Sequence, residues 1–272
     1  MLPTFLICGA PKAGTTSLFD YLSQHPDIFC SPCKEPLFFS DNYQKGLTWY
    51  ESIFEKHHNE KEIGEASSWY MRHELAPERI FKTIPHVKLI FVLRNPVDRA
   101  FSAFWYGKQK GSLQYNFTFS DLIERNLKVN GIIETGLYYE HIMRYKKYFS
   151  ADRMHFVLSE ELHNNLPKIL KNAFRFLEVE DSFVPNDLKH KNLTSYPRSE
   201  NVYNAFATKL TKLDTYCINN PYLRPLRSKI FFSKKKKRPQ MSQRDRILLS
   251  EIYQKDILML SNFINKDLSC WQ

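Results

Sequence analysis

No run of apolar residues in this chain approaches the roughly 20 needed to cross a bilayer, so no membrane span is expected. The first strand pattern opens by Phe5, which leaves no room for a secretory leader and points to the cytoplasm. Cysteine is sparse and odd in number. Cys8, Cys30, Cys33, Cys217 and Cys270 offer no disulfide framework, and cytosolic free thiols are the economical reading. Cys30 and Cys33 do form a CxxC, yet no second pair at zinc-ribbon spacing follows it. Nor is there a compact carboxylate cluster with a metal-binding signature, a long polar linker or an internal repeat. What remains is a chain of 272 residues, 43% hydrophobic, able to bury a sizeable core as one domain over residues 1–272.

Against those absences stands Phe5 to Ser17, FLICGAPKAGTTS. A short apolar strand runs into a glycine-containing turn and then into a helix. Glycines let main-chain N–H groups approach an anion, and the start of the helix favours negative charge. Gly9 and Gly14 have Walker A spacing, but Thr15 stands where a nucleotide kinase has its lysine, and the lysine has moved forward to Lys12. The loop reads as phosphate-binding without being an ATPase loop. Taken alone, a glycine turn with an exposed lysine fits the same letters.

A second motif follows at Val87 to Arg94, VKLIFVLR, an apolar run of the kind buried on both faces of a sheet. It ends in Arg94-Asn95-Pro96 before a helix begins near Val97. Ligands of open α/β sheets bind beyond the carboxyl ends of the strands. Arg94 and the Lys12 loop are therefore expected to face one crevice, where a guanidinium fork suits a second phosphate. A salt bridge at a strand end is the alternative for Arg94, and for Ser102, about two turns along the helix, an ordinary helix-surface serine.

The loop PKAGTTS, KEPLFF at Lys34 to Phe39, GLTWYESIF at Gly46 to Phe54, RNPVDRAFS at Arg94 to Ser102 and GLYYEHIMRYKKYF at Gly136 to Phe149 resemble the sulfotransferases that use 3′-phosphoadenosine-5′-phosphosulfate (PAPS). The resemblance is greatest to the heparan sulfate branch and its bacterial relatives, and it runs in order over nearly the whole chain. It implies that Lys12, Ala13, Gly14, Thr15, Thr16 and Ser17 hold the 5′-phosphosulfate, that Arg94 and Ser102 bind the 3′-phosphate, that Glu65 is the catalytic base, and that Lys34 lies near the sulfuryl group. Without the motif order, a solvated or lysine-paired glutamate is the better reading of Glu65. His57, His58, His73 and His141 are rival bases. Relatives often have histidine after KEP, where this chain has Leu37. Animal relatives are usually anchored Golgi proteins, so the expectation here is a soluble bacterial-type enzyme.

Strands near Phe5–Cys8, Glu62–Glu65, Lys88–Leu93 and Met154–Leu158 alternate with helices at Thr15–Ser23, Pro77–Thr83, Val97–Lys108, Asp121–Leu127, Tyr138–Tyr148 and Leu166–Leu177. That alternation predicts an α/β, three-layer, P-loop-like fold with a central parallel sheet flanked by helices. Phe183–Pro197 reads as loop, and Glu200–Tyr216 and Ser242–Ile264 as helices. The net charge of +10 is concentrated partly in Lys234 to Arg238. Such a run fits nucleic acid, an anionic surface or solvent. By resemblance it closes over the donor's 3′-phosphate through residues such as Lys236, Lys237 and Arg238, although the relatives' glycine is absent. The expected donor is PAPS, with 3′-phosphoadenosine-5′-phosphate (PAP) as product and no metal. The expected acceptor is a carbohydrate or small molecule, possessing a hydroxyl or amine, with no nucleic acid partner and a monomer or homodimer as the assembly. Trp49, Tyr50, Trp69, Tyr70, Trp105 and Tyr106 are candidates for the acceptor cleft. A P-loop small-molecule kinase and a non-catalytic polyanion-binding module remain the other readings.

Overall fold

The computed structural model describes residues 1–113, 117–124, 131–187, 196–199, 202, 213, 216, 217, 220, 222–233 and 239–271. Lys234 to Arg238 and most of the helix expected over Glu200–Tyr216 lie outside them. The chain divides into two compact units: Met1–Asn95 with Leu137–Asn192 and Asp256–Asp267, and Pro96–Gly136 with Leu193–Lys255 and Leu268–Gln272.

The first unit is built on a parallel sheet of five strands in the order β2-β3-β1-β4-β5. Its strands are β1 (Phe5–Gly9), β2 (Ile28–Cys30), β3 (Glu62–Ala66), β4 (Lys88–Leu93) and β5 (Met154–Leu158). The three inner strands, β3, β1 and β4, are buried along their whole length. Continuous apolar runs such as LICG and LIFVL suit strands covered on both faces. Burying each large side chain there contributes about 1.5–3 kcal/mol.

Alternation along β4 separates the two helical layers. On one face lie α1 (Thr15–Leu22) and α8 (Leu166–Leu177). Lys88 donates to the carbonyl of Leu177 at 3.1 Å, and His25, just beyond α1, packs on Phe174 with centroids 4.8 Å apart. On the other face lie α3 (Ala76–Thr83) and α6 (Tyr138–Lys146). There Phe91 meets Tyr145 edge-on at 5.1 Å, and Phe81 meets Phe149 at 5.7 Å. The expected α/β fold with a central parallel sheet is therefore observed.

The sheet's two ends differ in chemistry. At the amino ends, Lys88 pairs with Glu62 at 2.9 Å, and the Glu62 carboxylate also accepts from Thr4. The β1–β3 register sets Phe5 beside Gly64 and Leu6 beside Glu65. A Cβ at Gly64 would run into the Phe5 ring.

The second unit is assembled around α4 (Pro96–Lys110), with α5 (Phe119–Glu124), α9 (Leu223–Phe231) and the first part of α10 (Gln243–Ile264). Phe101 and Phe104 each stack edge-on against Phe119, at 5.0 and 5.3 Å. Tyr253 donates to the carbonyl of Ile133 at 2.8 Å, and the buried Arg99 guanidinium donates to the carbonyl of Ile132. A two-residue antiparallel pairing joins Tyr196–Pro197 to Phe232–Ser233, so the end of the segment expected as loop is paired.

Because Gly64 gives way to an aromatic ring, Gly64→Ala is expected to cost about 1–3 kcal/mol by overpacking. Urea unfolding checks this, and Phe5→Leu in the same chain should recover part of the loss. An unchanged midpoint would show that the ring has room to shift.

Candidate active site

The carboxyl ends of β3, β1 and β4, three adjacent strands, gather the chemistry of the first unit. The chain leaves β1 through its last residue, Gly9, whose φ is 150°. A Cβ there would stand 2.7 Å from Met71 Cβ and 2.8 Å from the Ser68 carbonyl, so the turn after β3 sits directly on the loop. Lys12 has φ 69°, in the left-handed region where few residues with a side chain are found. Gly14, at φ 108°, caps α1. No side chain caps that helix and no acidic residue occupies its first turn. Its first N–H groups thus keep their preference for an anion. Thr15 and Ser17, in the first turn of that helix, are buried at 5% and 7% exposure.

Two further cationic side chains reach this loop. Arg94, one residue past β4, donates from Nη1 to the carbonyl of Lys12 at 3.2 Å. Its own carbonyl accepts from the Tyr138 hydroxyl at 2.9 Å, and the following Asn95 N–H donates to Glu160 at 3.1 Å. The Lys34 ammonium donates to the Thr16 hydroxyl. Burial lowers the pKa of Lys34 from its ordinary value, since the charged form loses water.

Glu65 is fully buried on the α6 face of β3. Tyr50, on α2 (Leu47–Ser52), donates to Oε1 at 3.1 Å. The hydroxyls of Tyr70 and Ser67 also favour the charged form, while Oε2 lacks a partner at hydrogen-bond geometry. Burial outweighs these contacts and pushes the carboxyl up to about 7. Neither alternative for Glu65 survives: it is not solvated, and the lysine-paired glutamate of this strand is Glu62.

The KEPLFF and GLTWYESIF segments make the wall around that carboxylate. Phe38 stacks on Tyr50 with centroids 4.2 Å apart, Phe39 meets Tyr50 at 5.2 Å and Tyr70 at 5.6 Å, and Phe54 closes on Tyr50 at 5.3 Å. Aromatic pairs of this kind add about 0.5–1.5 kcal/mol each beyond burial. Arg79 clamps the segment by donating to the carbonyls of Phe39 and Ser40 at 3.1 and 2.9 Å. Of the aromatic candidates, Tyr50 and Tyr70 are packed against Glu65 and carry no exposure. Trp49 and Trp69 are half-buried and lie under the cations of Lys45 and Arg72, at 4.3 and 4.4 Å.

The family model described as "Sulfotransferase domain" matches residues 2–256. The chain belongs to the sulfotransferase family. Among curated relatives, the human protein named bifunctional heparan sulfate N-deacetylase/N-sulfotransferase 2 is 28% identical over 97% of this chain. The corresponding Drosophila melanogaster enzyme is 30% identical over 66%. The chain spans about 30% of the length of the human relative and 20% of the fly one. A sulfotransferase of Alicyclobacillus acidocaldarius matches structurally with TM-score 0.74 and 25% identity, covering 100% of this chain and 99% of that one. Mouse sulfotransferase SULT7A1, solved with PAP, shares the fold at TM-score 0.55 and 19% identity, covering 94% and 84%.

Within this sulfotransferase, Lys12, Thr16, Lys34 and Arg94 come together at one loop, with Glu65 on the strand beside it. Ser102 lies on α4 in the second unit and is only 2% exposed, so it is not the helix-surface serine of the alternative reading. Lys236, Lys237 and Arg238 fall outside the described residues. The rival histidines do not approach this arrangement in kind. His141 is buried against Arg144, His57 pairs with Glu60 at 3.9 Å, and burial lowers the pKa of His73. Sequence reading missed Tyr50 as the partner of Glu65, and no periodicity marks it out from the other aromatics of its segment.

Because the Tyr50 hydroxyl favours the ionised carboxylate, Tyr50→Phe should move the Glu65 titration upward from about 7. Carboxyl-carbon NMR across pH reads this directly. A midpoint that stays put or falls would contradict the hydrogen bond's role.

Proposed function

We propose that this sulfotransferase moves a sulfuryl group from PAPS to a hydroxyl or amine of a carbohydrate or small-molecule acceptor, with Glu65 as the base. The observation that carries the reading is a buried carboxylate of raised pKa on the strand next to a loop lined by Lys12, Thr16, Lys34 and Arg94. The uncapped start of α1, its left-handed Gly14 and the three nearby cations fit a doubly anionic nucleotide. The names of the curated relatives favour a carbohydrate acceptor. The family model crosses both compact units, which supports treating them as one sulfotransferase domain.

The donor supplies the sulfuryl group and, as leaving group, the 5′-phosphate of PAP. The chain's residues supply the rest. Glu65 takes the proton of the acceptor as its oxygen or nitrogen bonds to sulfur and the bond from sulfur to the phosphate oxygen breaks. Lys12 and the N–H groups that open α1 stabilise charge on the departing oxygen. Lys34, held on Thr16, adds a cation beside the transferred group, and Arg94 holds the 3′-phosphate. Phosphoryl transfer, in which positioning and charge stabilisation dominate, is the nearest general template.

Several outcomes are expected. Labelled PAPS without added metal should support transfer to members of a panel of glycans and small amino or hydroxyl compounds, whereas ATP with magnesium should not. Glu65→Gln should keep PAP affinity and lose transfer by about 100-fold or more, measured by calorimetry beside turnover; surviving activity would require another base. Lys12→Ala should lower kcat far more than it weakens PAP binding. A base raised to about 7 is protonated below that pH and ionised above it, so transfer should climb through about pH 7 and then level off. A flat profile from pH 5 to 9 would remove Glu65 from the role.

A further inference from the structure

The peptide that joins Arg94 to Asn95, just past β4, is held from both sides. Its carbonyl accepts from the Tyr138 hydroxyl at 2.9 Å, and its N–H donates to the Glu160 carboxylate at 3.1 Å. Tyr138 opens α6 and is fully buried, while Glu160 lies in the first turn of α7 (Ser159–Asn164). Both helices are tied in turn to one stretch of chain, Asp256 to Lys266, the end of α10 and the residues just past it. Asp256 accepts from the Tyr139 N–H at 3.1 Å and from the Glu140 N–H at 3.2 Å, one with each carboxylate oxygen. Lys266 donates to Glu161 of α7 at 2.6 Å. Between those contacts Phe263 meets Tyr139 edge-on at 6.3 Å and Phe156 of β5 at 6.1 Å, and Ile257 and Leu260 are buried.

The start of α6 has no cap from its own sequence, since Leu137 precedes it and no side chain there bonds back to the helix. A helix start leaves main-chain N–H groups without partners, and its dipole favours an anion. Asp256, 9% exposed, is that anion, supplied from 117 residues along the chain. Burial pushes its carboxyl up to about 6, with the N–H groups of Tyr139, Glu140 and Tyr138 opposing and the Glu140 charge adding to the rise, so it is ionised at neutral pH. Tyr145 pins the last turn of α6 by donating to the Tyr70 carbonyl at 2.7 Å. The placement of the first turn, with Tyr138, is left to Asp256.

We propose that Asp256 is a positioning residue for Arg94: by holding the first turn of α6 it sets the Tyr138 hydroxyl, which fixes the peptide after β4 and with it the direction of the guanidinium. The proposal rests on the reading of Arg94 as the 3′-phosphate ligand for its effect on binding, while its effect on the Arg94–Asn95 peptide needs no nucleotide. The consequence is selective. A 3′-phosphate remote from the sulfur is gripped alike before and during transfer, so a misaimed Arg94 weakens donor binding without slowing the chemical step.

The test compares wild type with Asp256→Asn, Tyr138→Phe and the double variant by three readouts: the Asn95 amide resonance in NMR, calorimetric affinities for PAP and for adenosine 5′-phosphate, and PAPS turnover. Adenosine 5′-phosphate lacks only the 3′-phosphate, so the ratio of the two affinities isolates the Arg94 end. Each single variant should shift the Asn95 amide and cut the preference for PAP by about fivefold, the worth of one hydrogen bond. Affinity for adenosine 5′-phosphate and kcat should stay within about twofold of wild type, while KM for PAPS rises with the lost preference. The double variant should lose little more than the larger single loss, because both changes break one chain of contacts. If Asp256→Asn does not fold, Asp256→Ser, which keeps an acceptor for the helix start, takes its place. Equal losses for the two nucleotides, or an unchanged ratio with an unmoved Asn95 amide, would reduce Asp256 to an ordinary helix cap and overturn the proposal. A wild type that prefers neither nucleotide would overturn the 3′-phosphate reading instead, and the Asn95 amide then decides the coupling: a shift in the Asp256 variant upholds it and a still resonance ends it.

Discussion

A carboxylate kept out of water at the end of a central strand is the constraint on which the site depends. Desolvation alone would leave Glu65 protonated at neutral pH, and the hydroxyls of Tyr50, Tyr70 and Ser67 counter it enough to bring the carboxyl to about 7. A carboxyl whose folded pKa lies above its ordinary 4.5 makes the fold give up stability as pH rises between those values, because the unfolded chain ionises first. The aromatic wall of Phe38, Phe39, Tyr50 and Phe54 both causes that desolvation and supplies packing that offsets it.

The sheet separates this tension from the charge that ordinary folding can tolerate. At its amino ends Glu62 and Lys88 satisfy one another and Thr4 completes the carboxylate's bonds. At its carboxyl ends the Lys34 ammonium donates to the Thr16 hydroxyl and the Arg94 guanidinium to the Lys12 carbonyl, both neutral oxygens. Cations held on neutral oxygens suit an anionic ligand. The net charge of +10 for the whole chain agrees with that bias.

Elements with unbroken apolar runs or strong amphipathic periodicity were legible residue by residue. Lys88–Leu93, Met154–Leu158 and Leu166–Leu177 have the bounds expected from their letters. Short elements were not: β2 has three residues and α2 six, too few for a period to declare itself, and their conformation comes from pairing with β3 and from aromatic packing. The loop lysine, its threonines and Arg94 stood out as candidates by residue type beside strand ends, whereas Glu65 stood out only by its place in the order of the motifs. The bond from Ser68 to the Glu35 carboxylate was not legible, since it depends on a left-handed turn at Glu35. Nothing in the letters KEP distinguishes that turn from an extended segment.

The most direct measurement is a crystal structure of the chain with PAP bound. The account predicts the 5′-phosphate within hydrogen-bond reach of the Lys12–Ser17 main chain and the Thr16 hydroxyl, the 3′-phosphate at the Arg94 guanidinium, and the Glu65 carboxylate facing the side of the 5′-phosphate from which an acceptor enters. A nucleotide bound away from that loop, or a Glu65 sealed from it by the aromatic wall, would contradict the account.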